Sequence, residues 1–227
     1  MPTYDVKKER RDLYAPPRDP VVVQVPPLEF LVVDGHGDPN SSPAYREAVQ
    51  ALYTVSYAVR AVAKARLGRV HTVGPLQGLW SADDLDVFRT RDKGAWDWTM
   101  MIVQPGWVTA DLVEEALSAA RHKRLPALEL LRFQRYDEGL SVQVLHVRAY
   151  DDEGPVLERL HHGFLPARGL TPTGRHHEIY LSDPRRSAPA RLRTVLRQPV
   201  AAQQVAGPVP GQVPAATSSQ NATAARS

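Results

Sequence analysis

Two hydrophobic periods alternate along the chain. Residues 21–33, VVVQVPPLEFLVV, are apolar and rich in β-branched side chains, and the interruption at Pro26-Pro27 predicts a strand with an edge or bulge there. A turn-rich stretch, GHGDPNSSP, leads to Ser42-Pro43, an N-cap followed by a first-turn proline. The period then becomes helical. Tyr45, Ala48, Val49, Leu52, Val55, Val59 and Val62 recur at three- and four-residue steps up to about Leu67, where Gly68 stops the helix. Tyr53 and Tyr57 stand one turn apart beside that stripe. Strands are predicted over 72–80 and 95–104, and a helix over 109–123, opening at Thr109.

The second half repeats the plan. Residues 128–136 and 140–150 flank Asp137-Glu138-Gly139, a hairpin signal. Asp151 or Asp152 is placed to cap a helix running from near Pro155 to near Phe164, and HHEIYLSDP over 176–184 supplies a closing strand. Strand, helix, strand, strand is thus legible twice, over 21–104 and again over 140–183. The predicted fold is α+β: tandem β-α-β-β repeats forming one antiparallel sheet, with two long helices on one face and a ligand groove on the other.

Strand parity then sorts the candidate chemistry. His176, Glu178 and Tyr180 share one face of the closing strand, while His177, Ile179 and Leu181 share the other. The Ile/Leu face is expected beneath the helices, which leaves Glu178 and Tyr180 looking into the groove. Trp96, Trp98, Met100 and Ile102 share a face on a second strand, and Trp80 ends the strand before it. His146 lies with Val142, Val144, Arg148 and Tyr150 on a third. A carboxylate among aromatic rings can hold a planar cation, because ring faces attract positive charge. Alternatively, desolvation raises its proton affinity and makes it a general acid or base near neutral pH. A plainer arrangement also satisfies the pattern: Trp96 and Trp98 as core, and Glu178 paired with an arginine at a sheet edge.

Composition narrows the options further. The 227 residues are 43% hydrophobic and 23% charged, enough to bury a core without staples. There is no cysteine, which excludes disulfides, thiolate metal sites and cysteine nucleophiles. Lys and Arg (28) exceed Asp and Glu (25) by only three and are scattered, so no basic stripe points to nucleic acid. The charged N-terminus lacks a leader's apolar run, and no stretch approaches a membrane span; together these predict a cytoplasmic protein. Residues 1–19 are a charged arm and 20–199 the folded domain. Residues 200–227 are an Ala/Pro/Gln-rich tail expected to be disordered. The adjacent pairs His161-His162 and His176-His177 diverge on either a strand or a helix, and no H-E-x-x-H run occurs, so no metal site is expected. Gly35-His36-Gly37 is a connecting turn, and no G-x-S-x-G elbow is present. The basic run Arg185, Arg186, Arg191, Arg193 and Arg197 is expected to be a solvated face or to pair with Asp151 and Asp152.

Five blocks carry a resemblance: GDPNSSPAYREAVQALYTVSY (37–57), PLQGLW (75–80), WDWTMMIVQP (96–105), LHVRAYDDEGP (145–155) and HHEIYLSDPRR (176–186). In this order they resemble the stand-alone branch of the gyrase-inhibitor-like (GyrI-like) small-molecule-binding proteins. The resemblance implies the SHS2-like tandem fold of the drug-binding halves of multidrug-sensing regulators, without their DNA-reading half. It implies a groove for a small planar aromatic or lipophilic ligand, with Glu178 as the acid of the E-x-Y motif, Tyr180 as its phenol partner, and Trp80, Trp96 and Trp98 as walls. Tyr57 and His146 are further assignments of the same kind, and Tyr53, one turn from Tyr57, and Met100, on the strand face of Trp96 and Trp98, are candidate ligand contacts by their positions. Some stand-alone relatives resemble hydrolases that open the cyclopropane ring of DNA-alkylating natural products. For this chain that implies Glu178 as acid/base with Tyr180 or His146 as helper, and no cofactor. Two other readings are a non-catalytic drug binder or sensor and an inhibitor that touches a topoisomerase. Arg148 stands where the family usually has glycine, and both a monomer and a homodimer are compatible with the sequence.

Overall fold

A computed structural model describes residues 3–82 and 92–203. The first apolar run divides at its prolines into β1 (Val21–Val25) and β2 (Leu28–His36), because proline cannot donate to a ladder. The long helix α3 (Pro43–Leu67) begins with the Ser42 side chain accepting from the Tyr45 amide, and ends at Gly68 in the left-handed conformation. There follow β3 (Leu76–Ser81), β4 (Asp97–Gln104), a second helix α4 (Ala110–Ala120), β5 (Arg132–Tyr136) and β6 (Gly139–Val147). A third helical run comprises α5 (Gly154–Glu158), a π-helical stretch (Arg159–Phe164) and a last turn, α6 (Leu165–Ala167). Then come β7 (Leu170–Pro172), β8 (His176–Tyr180) and β9 (Arg193–Ala202). The arm carries two short helical turns, α1 (Val6–Glu9) and α2 (Arg11–Tyr14).

All recorded strand pairs are antiparallel, in the order β1-β6-β9-β8-β3-β4-β2-β5, with β7 on β9. This order requires a curled sheet. Val25 and Leu28 are three residues apart, so at most about 11 Å, yet six strand spacings separate β1 from β2, about 29 Å if the sheet were flat. The edges therefore fold back toward each other. The inner face buries Val25, Phe30, Val32, Met101, Val103, Ile179 and Val195 in one cluster, into which the arm inserts Val6, Leu13 and Tyr14. A polar network sits beside it. Glu138 binds His177 Nδ1 (2.9 Å) and Arg197 Nη1 (3.0 Å), Gln77 links His177 to the Tyr14 hydroxyl, and Arg197 also reaches the Leu13 carbonyl. Burial opposes the Glu138 charge, but His177 and Arg197 outweigh it and hold the carboxyl low, at about 2.

Among the described residues, the long helices after the arm lie on the outer face. Helices α3 and α4 cover Leu31, Val33, Trp98, Met100 and Ile102, while Leu160 and Leu165 of the third run cover Val142 and Val200. The two helical groups leave a gap between them.

Several expectations are corrected. The face that carries Ile179 is the inside of the curl, packed by the arm and not by the helices, and the space opposite the helices is a pocket of about 340 Å³ lined by residues that include Val32, Leu79, Met101, Tyr136 and Arg175. Residues 128–136 and 140–150 form no hairpin: β5 pairs with β2 and β6 with β1 and β9, because the short Asp137-Glu138 link crosses between the two edges of the curl. Neither Asp151 nor Asp152 caps the third run, which starts after Glu153. The C-terminal basic stretch is not wholly solvated, since Arg197 is buried in β9, and Asp151 pairs with Lys93. Residues 200–202, assigned to the tail, continue β9 against β7; 204–227 lie outside the described residues.

Candidate functional site

The gap between the helical groups is a cleft of about 2160 Å³. Its floor is sheet. The outward parity of β8 presents His176, Glu178 and Tyr180, and β3 adds Trp80. One wall is α3 with Tyr45, Tyr53 and, at the rim, the exposed Tyr57; the other is the third helical run with Leu157 and His161. Strand parity thus correctly separated Glu178 from Ile179, but the cleft opens on the helix side of the sheet.

A missing side chain makes the floor possible. Gly78 pairs with Glu178 across β3 and β8, and the Trp80 indole lies back over it: a Cβ at position 78 would stand 2.9 Å from Trp80 Nε1 and 3.2 Å from Met100 Sδ. So placed, Trp80 Nε1 donates to the Tyr180 hydroxyl at 3.1 Å, and that hydroxyl donates to Glu178. Trp96 closes edge-on against Trp80, with ring centroids 5.5 Å apart, and carries the Lys93 ammonium 5.8 Å from its own ring centre. Tyr150 meets Tyr180 in the same edge-on manner at 5.6 Å.

Burial pushes the Glu178 carboxyl up, to about 7, against the Tyr180 hydrogen bond and the Lys93 charge. Beside it stands a second carboxyl, Glu153. Burial first, and the charge of Glu178 second, raise it much further, and its Oε1 has no hydrogen-bond partner. The two carboxyls titrate as one coupled pair, which loses its protons in two steps. Burial and the Glu178 charge also push the Tyr180 and Tyr45 phenols up, and burial with Glu153 pushes Tyr150 to about 12. The result is a pocket with two coupled acids whose proton affinities are both raised, and three phenols that stay protonated.

The structure brings together Glu178, Tyr180, Trp80, Trp96, Tyr53 and Tyr57 around the cleft. Three other candidates lie elsewhere. Trp98 is 2% exposed, edge-on to Tyr45, with Nε1 on the Gly37 carbonyl and its ring where a Cβ on Gly35 would be. Met100 is fully buried beneath α3. His146 is buried with Nε2 on the Ala149 carbonyl. Glu153, Tyr45, Tyr150 and Lys93 were not singled out. Tyr45 reads as one more apolar position in the α3 stripe, and Glu153 reads as an ordinary acid ahead of a Gly-Pro helix start. The acids and histidines form no cluster fit to hold a metal ion among the described residues, and none of their helices is long and apolar enough to cross a membrane.

Residues 18–201 match the GyrI-like small molecule binding domain. The chain belongs to that family. A GyrI-like domain takes a small molecule as its partner. Among solved structures the chain is similar to an uncharacterized conserved protein from Listeria innocua, at 38% identity and a TM-score of 0.81 over 88% of this chain and 100% of that one. It is also similar to a hydrolase from Listeria innocua, at 35% identity and a TM-score of 0.77 over the same shares. The EcmrR C-terminal domain, at 13% identity and a TM-score of 0.51 over 81% of this chain and 98% of that one, shares the fold alone. No curated protein matches the chain.

Proposed function

We propose that this GyrI-like protein binds planar aromatic or lipophilic molecules in the cleft and hydrolyses an activated cyclopropane in them, a detoxifying reaction. The observation that carries this reading is Glu178: a largely buried acid with its proton affinity raised toward neutrality, set among indoles and phenols beside a second raised acid, Glu153, to which it is coupled. A coupled pair of acids, one holding a proton while the other has lost it, is what a water-addition reaction uses. The Glu178 carboxylate takes a proton from water as the water oxygen bonds to the ring CH₂. The cyclopropane C–C bond breaks, and its electron pair passes through the conjugated ring to the dienone oxygen. That oxygen becomes a phenol by taking a proton from Glu153 or Tyr180. The sum is addition of one water, with no change in oxidation state across the pair. Trp80 and Trp96 orient the planar substrate and offer no competing nucleophile. The similar Listeria innocua protein named a hydrolase supports a reaction in this branch of the family.

A second reading, binding without chemistry, is favoured by the size of the cleft, which exceeds the volume usual for one drug-sized ligand. Incubation with a duocarmycin-type cyclopropane, followed by mass spectrometry, separates the two. Hydrolysis predicts a product heavier by one water, absent with Glu178→Gln. Retained binding without product by the unaltered protein establishes the binder.

A further inference from the structure

His176 lies on the floor of the cleft and takes no part in the chemistry above. It precedes Glu178 by two residues, so both side chains leave β8 on the same face, and it pairs across the sheet with Trp80. Both of its ring nitrogens are buried and neither has a hydrogen-bond partner, an expensive arrangement that a folded protein keeps for a reason. Nε2 stands 3.7 Å from Glu178 Oε1, just beyond hydrogen-bond range, and a small rotation of either side chain closes the gap. Burial, and His161 behind it, hold the ring neutral, so the contact is no ion pair. His161 faces the imidazole from the π-helical stretch, and His177 and Glu138 act on it from the inner face. Tyr180, Lys93, Tyr45, Tyr150 and Glu153 surround the carboxyl. Catalytic contacts are often long in an empty site and tighten when it fills.

We infer that His176 is the positioning residue of Glu178: when a ligand fills the cleft, its neutral Nε2–H donates to the carboxylate and holds it toward the bound molecule. This rests on Glu178 being the charged group of the cleft, as proposed above. A hydrogen bond to a carboxylate favours its ionised form, so removing the donor moves ionisation to higher pH.

The probe is ethidium, a planar aromatic cation, with affinity read by fluorescence from pH 5 to 9. His176→Phe keeps the ring's bulk without the donor, and His176→Gln keeps an N–H. The expected result is an affinity midpoint about one pH unit higher in His176→Phe and near the native value in His176→Gln. An unmoved midpoint in His176→Phe overturns the inference. If that variant does not fold, ¹⁵N imidazole spectra of the unaltered protein decide: ethidium should shift the His176 Nε2 resonance as a donor, and an unchanged resonance overturns the inference. Glu178→Gln separates the two levels. If it abolishes the pH dependence while His176→Phe leaves it in place, only the role of His176 fails. If it leaves the dependence intact, or the unaltered protein does not bind ethidium, the reading of Glu178 fails as well.

Discussion

Trp80 and Tyr180, one hundred residues apart, meet through the indole N–H and the phenol oxygen at 3.1 Å, and the phenol passes its own proton toward Glu178. The aromatic wall and the acid are thus one hydrogen-bonded unit. Tyr180→Phe removes both bonds, leaves a buried indole N–H unpaired, and takes one donor from the carboxylate. The expected cost is about 1–3 kcal/mol of stability in chemical denaturation, together with a higher pH for Glu178 ionisation. Unchanged stability and an unchanged binding–pH curve would show that the two residues act separately.

Gly78 sets where Trp80 can lie, since a methyl group there would stand 2.9 Å from the indole nitrogen. Gly78→Ala should push the indole off the floor and weaken binding of a planar ligand about tenfold, the equivalent of ~1.4 kcal/mol. The circular dichroism spectrum should be preserved. Equal affinity in both proteins would remove Trp80 from the binding surface.

The contrast between Gly78 and Glu153 shows where sequence reading stops. Helix α3, with its Ser42 cap and Gly68 stop, is legible because local signals decide it. The face of Glu178 is legible because a strand has a period of two. The location of the cleft is not, because it depends on a two-residue link drawing distant strands into a curl and on the arm filling the inner face. That same long-range closure hides Arg197 in the interior, although a basic run reads as surface. Glu153 is hidden for a related reason. Nothing near it in the chain reports that β8 stands opposite, and its own helix start gives it an ordinary explanation.

Binding of a planar cation should depend on pH through Glu178. Burial raises this carboxyl above its ordinary value to about 7, so the anion that attracts the cation appears as pH rises through neutrality. Affinity should therefore increase from pH 6 to pH 8, and Glu178→Gln should be weak and flat across the range. The same shift acts oppositely on the empty protein. A raised carboxyl pKa contributes stability below about 4.5, and that stability is lost as pH rises through 7, so Glu178→Gln should be the more stable protein at pH 8. Calorimetric titration and urea denaturation at pH 6 and 8 measure the two effects.

His71 predicts the acid limb of stability. Its ring is 1% exposed, has no hydrogen-bond partner, and packs edge-on against Trp107 at 5.5 Å. Burial, assisted by Arg60, pushes its pKa down to about 4. The unfolded chain therefore binds a proton below about 6.5 that the native state refuses until about 4, and stability falls as pH drops through that window. His176 and His177 are depressed by burial as well and add to the same slope. His71→Phe should flatten part of the loss between pH 6.5 and 4.5 in denaturant melts, and an unaltered slope would assign the acid sensitivity elsewhere.

The network inside the curl makes the last prediction. Glu138 is bound at once by His177, at 2.9 Å, and by Arg197, at 3.0 Å, and Arg197 carries the arm through the Leu13 carbonyl at 2.8 Å. Removing one member of a buried charge pair leaves the other uncompensated, which costs about 3–5 kcal/mol. Glu138→Ala should lose stability on that scale, because Arg197 would remain charged at 2% exposure. Replacing both residues, Glu138→Leu with Arg197→Met, removes the stranded charge and should recover much of the loss. The arm supplies an independent readout. Its amides should exchange faster in Glu138→Ala, since the guanidinium that anchors Leu13 loses its counter-charge, while α3 on the outer face keeps its protection. Uniform loss of protection in both places would mean that the network supports the whole sheet and does not anchor the arm in particular.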